Sequence, residues 1–401
     1  MAIITIAGAG LLIGGVGGFL LGGWLLKFSH LTLHHQEKEP RIAVLIPARD
    51  ESKVIEGLLR SIQRQSYPVQ AKDVYVILER NEDPSRAIAE QYGNTVILRK
   101  DLSKQRKGYA LNEAVQEILE RTEQYDLYFV FDADNILARD YFEQMLESYR
   151  QGYEMAIGYR AAKNANDNVI SAVSSLTFSM INVLGNHKRK KLGANIIFSG
   201  TGCYVSGNLV EKWSGWPFHS LTEDYEMSLY AMVKNIPTDY NEQATFYDEQ
   251  PVQYAETVAQ RTRWVKGYFA ARRLYLPRMR ELLRYDRPEN FGSLMKELIG
   301  VKPIILMLIG VILLMIDGLF VRSIGLNVDW LWLGVGVVVL VYAVLLVITV
   351  VMLSRECYKL RQGLEMRTIL FNPIYLLTYV WCALKALFTK DVKWQKTKHG
   401  K

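Results

Sequence analysis

The stretch "FDADN", Phe131 to Asn135, sets two carboxylates, Asp132 and Asp134, two residues apart. In extended chain, residues i and i+2 face the same side. Both carboxylates can therefore address one point. With no basic neighbour in the stretch they repel each other unless a cation sits between them. Oxygen ligands at a strand end suit Mg²⁺ or Mn²⁺, held by one or two carboxylates plus substrate phosphates. A solvated acidic turn has the same composition, but an apolar run immediately upstream favours a metal site. Farther on, "LTEDYEMS" (Leu221 to Ser228) places Glu223 and Asp224 where a helix opens, with Thr222 as candidate N-cap. Helices favour acidic first turns in any case; a carboxylate base is the functional alternative. In "QRTRWVKG", Gln260, Arg263, Trp264 and Gly267 stand at i, i+3, i+4 and i+7, one helical face, and Arg261 points elsewhere. That face offers a guanidinium suited to phosphate, a flat indole suited to a sugar, a glutamine for hydrogen bonds and a glycine for close approach. A helix lying on a membrane surface would use the same residues as anchors.

These stretches are far apart, so a scaffold must gather them. "IAVLIP" (Ile42 to Pro47), "VYVIL" (Val74 to Leu78), "TVIL" (Thr95 to Leu98) and "LYFVF" (Leu127 to Phe131) are short continuous apolar runs, as buried parallel strands show. Helical faces lie between them, Ile55, Leu58, Leu59 and Ile62 on one and Leu111, Ala114, Val115, Ile118 and Leu119 on another. The alternation predicts a right-handed, doubly wound α/β sheet, whose ligands bind at the carboxyl ends of the strands. The residues there are Arg49, Asp50 and Glu51 after the first strand, Glu79 and Asp83 after the second, and Asp132 and Asp134 after the later one.

Half of the 401 residues are apolar and 22% are charged, which predicts a soluble domain joined to membrane segments. Ala2 to Leu26 carries no charged side chain and is long enough to cross a bilayer. With no Lys or Arg before it and Lys27 after it, it reads as an anchor over residues 1–28 with its N-terminus outside, rather than a signal peptide. Gly10, Gly14, Gly18 and Gly22 form a small-residue stripe expected to pack on another membrane helix. Later segments are expected at 298–320 and 330–353, within a C-terminal membrane region of 296–390. A third, at 369–388, is interrupted by Asn372, Pro373 and Lys385 and is expected to be interfacial or re-entrant. Residues 256–295 are expected as interfacial helices, and 391–401 as a basic tail. Cys203, Cys357 and Cys382 are scattered and form neither a disulfide framework nor a zinc site, which fits a reducing compartment. The net charge of +7 gathers near the apolar segments and in the tail, so it points to membrane lipids rather than nucleic acid. The run His187 to Lys191 is expected as a solvated loop. Trp213 and Trp216 suit either an acceptor site or core packing.

"IPARDES", "KGYALN", "FDADN", "FSGTG", "TED" and "QRTRW", in this order, resemble the membrane-bound glycosyltransferases of family 2, which include cellulose, hyaluronan and poly-N-acetylglucosamine synthases. The resemblance covers about residues 40 to 270. It implies a GT-A fold (Rossmann-like α/β) over 40–255, a nucleotide-diphosphate sugar donor, Mg²⁺ or Mn²⁺ on Asp132 and Asp134, and inversion at the anomeric carbon. Asp224 matches the family's base, with Glu223 as its orienting partner. Pro47, Ala48, Arg49, Glu51, Glu79, Lys107, Asp132, Gln260, Arg263 and Trp264 fall to the donor side, and Gly200, Thr201, Gly202 and Trp264 to the acceptor side. Where the family usually has Asp after the second strand, this chain has Glu79, Arg80 and Asn81. Trp394 to Lys398, "WQKTK", resembles a loop that swings over the nucleotide in polymerising members.

The resemblance leads first to a processive synthase of the plasma membrane, catalytic domain cytoplasmic, extending a polysaccharide from UDP-glucose or UDP-N-acetylglucosamine. The alternative is single transfer to a lipid, which three or four membrane segments favour, since they make a narrow conduit unless the chain forms a homo-oligomer. A non-catalytic scaffold is disfavoured by the intact Asp132, Asp134, Asp224 and Trp264.

Overall fold

The computed structural model describes residues 2–285, 289–323, 329–360 and 365–389. The tail and its Trp394 to Lys398 motif lie outside them. The chain divides into two compact units.

The α/β unit comprises Leu31–Lys191, Asn195–Arg278 and the end of the last helix from Thr378. Its sheet opens with β1 (Ile42–Pro47), β2 (Val74–Leu78), β3 (Thr95–Leu98) and β4 (Leu127–Val130), the four expected apolar runs to within one residue. They pair in parallel in the order β3-β2-β1-β4. Helices α2 (Ile55–Gln63), α3 (Ser85–Gln91) and α4 (Lys107–Leu119) connect them. The sheet is not purely parallel. It continues with β5 (Ile136–Leu137), β6 (Met155–Ala162), β7 (Cys203–Ser206) and β8 (Thr238–Asp248), giving the order β3-β2-β1-β4-β7-β6-β8-β5. β7 runs antiparallel to β4 and β6, β8 runs parallel to β6, and β5 runs antiparallel to β8. The result is a mixed α/β sheet.

The core beneath the acid turn is aromatic. Phe129 meets Phe142 edge-on at 4.9 Å, and Phe131 meets Tyr141 at 5.6 Å. All four are fully buried, each contributing roughly 1.5–3 kcal/mol by apolar burial. The Phe129 and Phe131 pair fixes the end of β4, from which Asp132 and Asp134 follow.

The remaining helices of this unit are α5 (Tyr141–Arg150), α6 (Val169–Met180), α7 (Lys188–Lys191), α8 (Gly207–Trp213) and α9 (Glu223–Val233). Between α6 and α7 the helix widens to π turns over Ile181–His187. His187 to Lys191 is therefore helical, not a solvated loop. Arg189 is buried and donates to the Asn195 carbonyl, and Lys190 pairs with Asp239. Trp213 and Trp216 pack edge-on against Phe218, Trp213 half-buried and Trp216 buried. The interfacial region expected at 256–295 forms one 32-residue helix, α10 (Tyr254–Tyr285), and α11 (Phe291–Ile299), which runs past the expected end.

The second unit gathers α1 (Ala2–Leu25), α11, α12 (Lys302–Ser323), α13 (Asp329–Leu360) and the first part of α14 (Met366–Phe388). The glycines of α1 that meet α12 are only partly the expected set. Gly8 lies against Leu314 and the Gly310 carbonyl, and Gly15 against Met307 and the Pro303 carbonyl. Of the expected four, a Cβ on Gly18 would lie 3.2 Å from Pro303, a close approach, and one on Gly22 3.8 Å from Ile299, whereas one on Gly10 or Gly14 would meet nothing within 4 Å. At about 100° per residue, a four-residue repeat drifts by about 40° each step, but positions 8, 15 and 22 drift by about 20° and stay on one face. α14 is one unbroken helix through 369–388. Asn372 Nδ2 donates to Thr349 Oγ1 at 2.8 Å, and the Tyr342 hydroxyl donates to the Leu370 carbonyl, next to the one that Pro373 leaves without its helical donor. Four helical stretches among the described residues are long and apolar enough to cross a membrane: Ile3–Phe28, Val169–Lys191, Phe291–Asp317 and Met366–Phe388. The second was not foreseen from sequence, and half of it is buried inside the protein.

Candidate active site

The acid turn after β4 is tightly held. The Asp132 amide donates to Thr201 Oγ1 at 2.8 Å and to Asn135 Oδ1 at 3.2 Å, and the Thr201 hydroxyl donates to Asn135 Oδ1. Asn135 Nδ2 donates to Asp134 Oδ1 at 3.2 Å, and the Glu249 amide to Asp134 Oδ2 at 3.3 Å. Thr201 is fully buried and braces this turn. Gly202 is also buried, and a Cβ there would run into the Phe246 ring. Of the three residues assigned to the acceptor side around this turn, Gly200 alone borders the site. It sits at φ +89°, and a Cβ on it would lie 3.2 Å from Asp224 Oδ2.

The carboxylates do have basic neighbours, contrary to the local sequence. Lys107, the first residue of α4, places Nζ 2.5 Å from Asp132 Oδ1 and 2.7 Å from the Gly200 carbonyl. Burial works against its charge, but Asp132 and Glu223 outweigh that and hold its pKa above the usual lysine value. Lys107, expected on the donor side, bonds Asp132 and the Gly200 carbonyl and lies within reach of the Glu223 charge. Asp132 nonetheless stays 43% exposed, open to a further ligand.

α9 opens with Glu223 and Asp224. The Tyr225 amide donates to Asp224 Oδ1 at 2.8 Å. Burial raises the pKa of both, and the Asp224 charge adds to the effect on Glu223, which is pushed up to about 7. Lys107 and Arg263 pull both back down. Thr222 occupies the N-cap position, but its side chain makes no capping hydrogen bond. It packs instead against Gly267, where a Cβ would overlap it. The predicted face of α10 thus lies on the first turn of α9. Arg263 Nη1 reaches the Leu221 carbonyl at 3.5 Å, and Tyr268 stacks on Tyr225 at 5.0 Å. Trp264 meets Phe178 edge-on at 5.6 Å. Arg261, on the other face, is buried and donates to Thr257 and to Thr378 of α14. Gly200, Trp216, Glu223 and Asp224 line one small opening.

The first two strand ends form a separate polar cluster. Ala48 is buried, its amide on the Ile77 carbonyl beside Pro47. Arg49 pairs with Glu79, which also accepts from the buried Arg99 at 3.1 Å. Asp83 is buried and accepts from the Asp50 and Ser85 amides, so it holds the turn. The Glu51 amide donates to Ser85 Oγ at 3.2 Å.

Sequence reasoning missed Arg160, Asp248 and Phe178, which stand close behind the acids. Arg160 pairs with Asp248, and its charge acts on Asp224, while Asp132 and Asp134 act on Arg160 in turn. Its one signal was a charge inside an otherwise apolar strand.

For a divalent cation the donor set is two hard carboxylates at a strand end. Among the described residues no group of three or more His, Cys, Asp or Glu gathers to hold one. Two carboxylates fit Mg²⁺ or Mn²⁺ when substrate phosphates complete the shell.

A family model described as "Glycosyltransferase like family 2" matches residues 40–267. Among curated proteins, the chain is 24% identical over 387 residues to "Probable glycosyltransferase YdaM" of Bacillus subtilis, covering 89% of this chain and 86% of the relative. It is also 24% identical over 256 residues to the "Beta-monoglucosyldiacylglycerol synthase" of Trichormus variabilis, covering 62% of this chain and 53% of that synthase. Among solved structures, the mannosyltransferase PcManGT from Pyrobaculum calidifontis, in complex with GDP-Man and Mn²⁺, aligns with TM-score 0.60 at 16% identity, covering 97% of this chain and all of that one. At that identity the likeness shows a shared fold.

Proposed function

From the premise that the chain belongs to the glycosyltransferase like family 2, we propose that it transfers a sugar, with inversion, from a nucleoside-diphosphate donor to an acceptor at the membrane. The observation that carries this is the convergence of Lys107, Asp132, Gly200, Glu223 and Asp224, with Arg263 and Gly267 of α10 packed on the same helix turn.

Asp224 is the base. The acceptor hydroxyl loses its proton to the Asp224 carboxylate as its oxygen bonds to the anomeric carbon. The bond from that carbon to the diphosphate oxygen breaks, its electron pair leaves with the nucleoside diphosphate, and one displacement inverts the configuration. Burial and the Asp224 charge push Glu223 up to about 7, so the pair holds a proton below that pH and a second negative charge beside Asp224 is avoided. The Arg263 guanidinium faces the leaving diphosphate. A Mg²⁺ or Mn²⁺ ion held by Asp132 and Asp134 would neutralise the charge developing there. Arg49 and Glu79, at the neighbouring strand ends, fall to the nucleoside. Trp264 offers its indole face to a sugar.

The acceptor we favour is a growing polysaccharide, in keeping with the resemblance of Gln260 to Trp264 to the processive synthases. A lipid acceptor is the second reading, supported by the name of the diacylglycerol-modifying relative. On this reading the α/β unit faces the cytoplasm at the plasma membrane. To test both, purified protein in detergent is incubated with Mg²⁺, lipid extract and labelled nucleotide sugars. Chromatography then separates a high-mass polymer from a single glycolipid; neither product from any donor would remove the transferase reading. EDTA is expected to abolish transfer, and Mg²⁺ or Mn²⁺ to restore it.

A further inference from the structure

Arg160 interrupts the apolar run of β6 with a charge whose side chain is only 11% exposed. Its Nε lies 2.8 Å from Asp248 Oδ2, and its Nη2 bonds the same oxygen. Its Nη1 donates to the Ser199 carbonyl at 2.6 Å, next to Gly200, which borders Asp224. Gln250 Nε2 fills the other Asp248 oxygen at 2.9 Å. The guanidinium is thus held along its edge. Its flat face lies over the Phe178 ring, 3.7 Å from the centroid. Phe178 in turn meets the Trp264 indole at 5.6 Å and 77°. A continuous line of contacts therefore runs Asp248, Arg160, Phe178, Trp264, from the sheet to the indole. Nothing in the transfer step above uses the first three.

Arginine suits this place and lysine does not. A planar guanidinium can bond at its edge and stack on its face at once, whereas an ammonium is a point charge. Edge-to-face packing then fixes the orientation of the second ring. We infer that Arg160 is a positioning residue, which acts through Phe178 to hold the Trp264 indole at the angle that seats the acceptor sugar. The inference rests on the reading of Trp264 as a sugar platform. It assigns Arg160 an effect on acceptor use, with donor binding left intact.

The test uses the full chain in detergent, with 5-fluorotryptophan at its eight tryptophans. The Trp264 ¹⁹F resonance is assigned by its loss in Trp264→Phe. Phe178→Leu keeps an apolar side chain and removes the flat ring; Phe178→Tyr keeps the ring. Phe178→Leu is expected to shift the Trp264 resonance while the others stay in place, and to raise the KM for the acceptor, diacylglycerol in mixed micelles or an oligosaccharide primer, whichever the transfer assay labels, about tenfold with the donor KM changed by less than about twofold. Phe178→Tyr is expected to restore both. Arg160→Lys, which keeps the charge and loses the flat cation, is expected to act as Phe178→Leu does. If Phe178→Leu fails to fold, Phe178→Met gives the same comparison. A Trp264 resonance unmoved by these changes overturns the contact line itself. A moved resonance with an unchanged acceptor KM overturns the assignment of Trp264 to the sugar, and with it the part given to Arg160.

Discussion

Glu223 and Asp224 stand side by side at the mouth of α9, and their environment separates them. Burial and the Asp224 charge push Glu223 up to about 7. A base works only when ionised, and burial raises the Asp224 pKa, so transfer should fall as pH drops through a value above the ordinary aspartate range. Glu223→Gln removes the neighbour that titrates near 7, so any step of the kcat/KM profile there should vanish while the acid limb of Asp224 remains. A step near 7 that persists in Glu223→Gln would show that Glu223 is not the group titrating there. The same shift bears on stability. A carboxyl with a folded pKa above its unfolded value binds its proton more tightly in the native state, so stability falls as pH rises from about 4.5 toward 7. Glu223→Gln should flatten that loss in thermal unfolding. Asp132 and Asp134 were marked by residue type and spacing, and Glu223 and Asp224 by the ordered motifs of the resemblance. Arg160 was not, because a single charge in a strand has no spacing to read; the burial of Thr201 and Gly202 was not either, because burial is invisible in a motif.

At the scale of elements, β1 to β4 were legible because strands buried on both faces read as unbroken apolar runs. β8 was not: Thr238 to Asp248 mixes acidic, amide and aromatic residues, since its burial alternates along part of its length. The helix at Val169–Lys191 hid for a similar reason, with serines on its buried side. In α1 the four-residue glycine repeat drew attention from Gly8 and Gly15, seven residues apart, which meet α12 most closely. Gly15→Leu should therefore destabilise the helical unit by about 1–3 kcal/mol, as overpacking does, while Gly14→Leu should cost little. Thermal unfolding in detergent compares them; equal losses would refute the seven-residue face. Gly267 is a second close approach. Gly267→Ala should displace Thr222 and the turn that carries Asp224, lowering kcat by about tenfold or more with expression unimpaired.

For the whole molecule, a mixed α/β unit and a set of apolar helices share one chain, and the family match spans the former. The fold gathers residues more than a hundred positions apart, such as Lys107 and Glu223, around one strand end. That convergence is the central claim, and Asp224 is its most exposed point. Donor binding by calorimetry and transfer from a labelled nucleotide sugar should be measured together on the wild type and on Asp224→Asn. The account predicts unchanged donor affinity and transfer reduced by about 10²–10⁴-fold. Transfer at the wild-type rate in Asp224→Asn would contradict it.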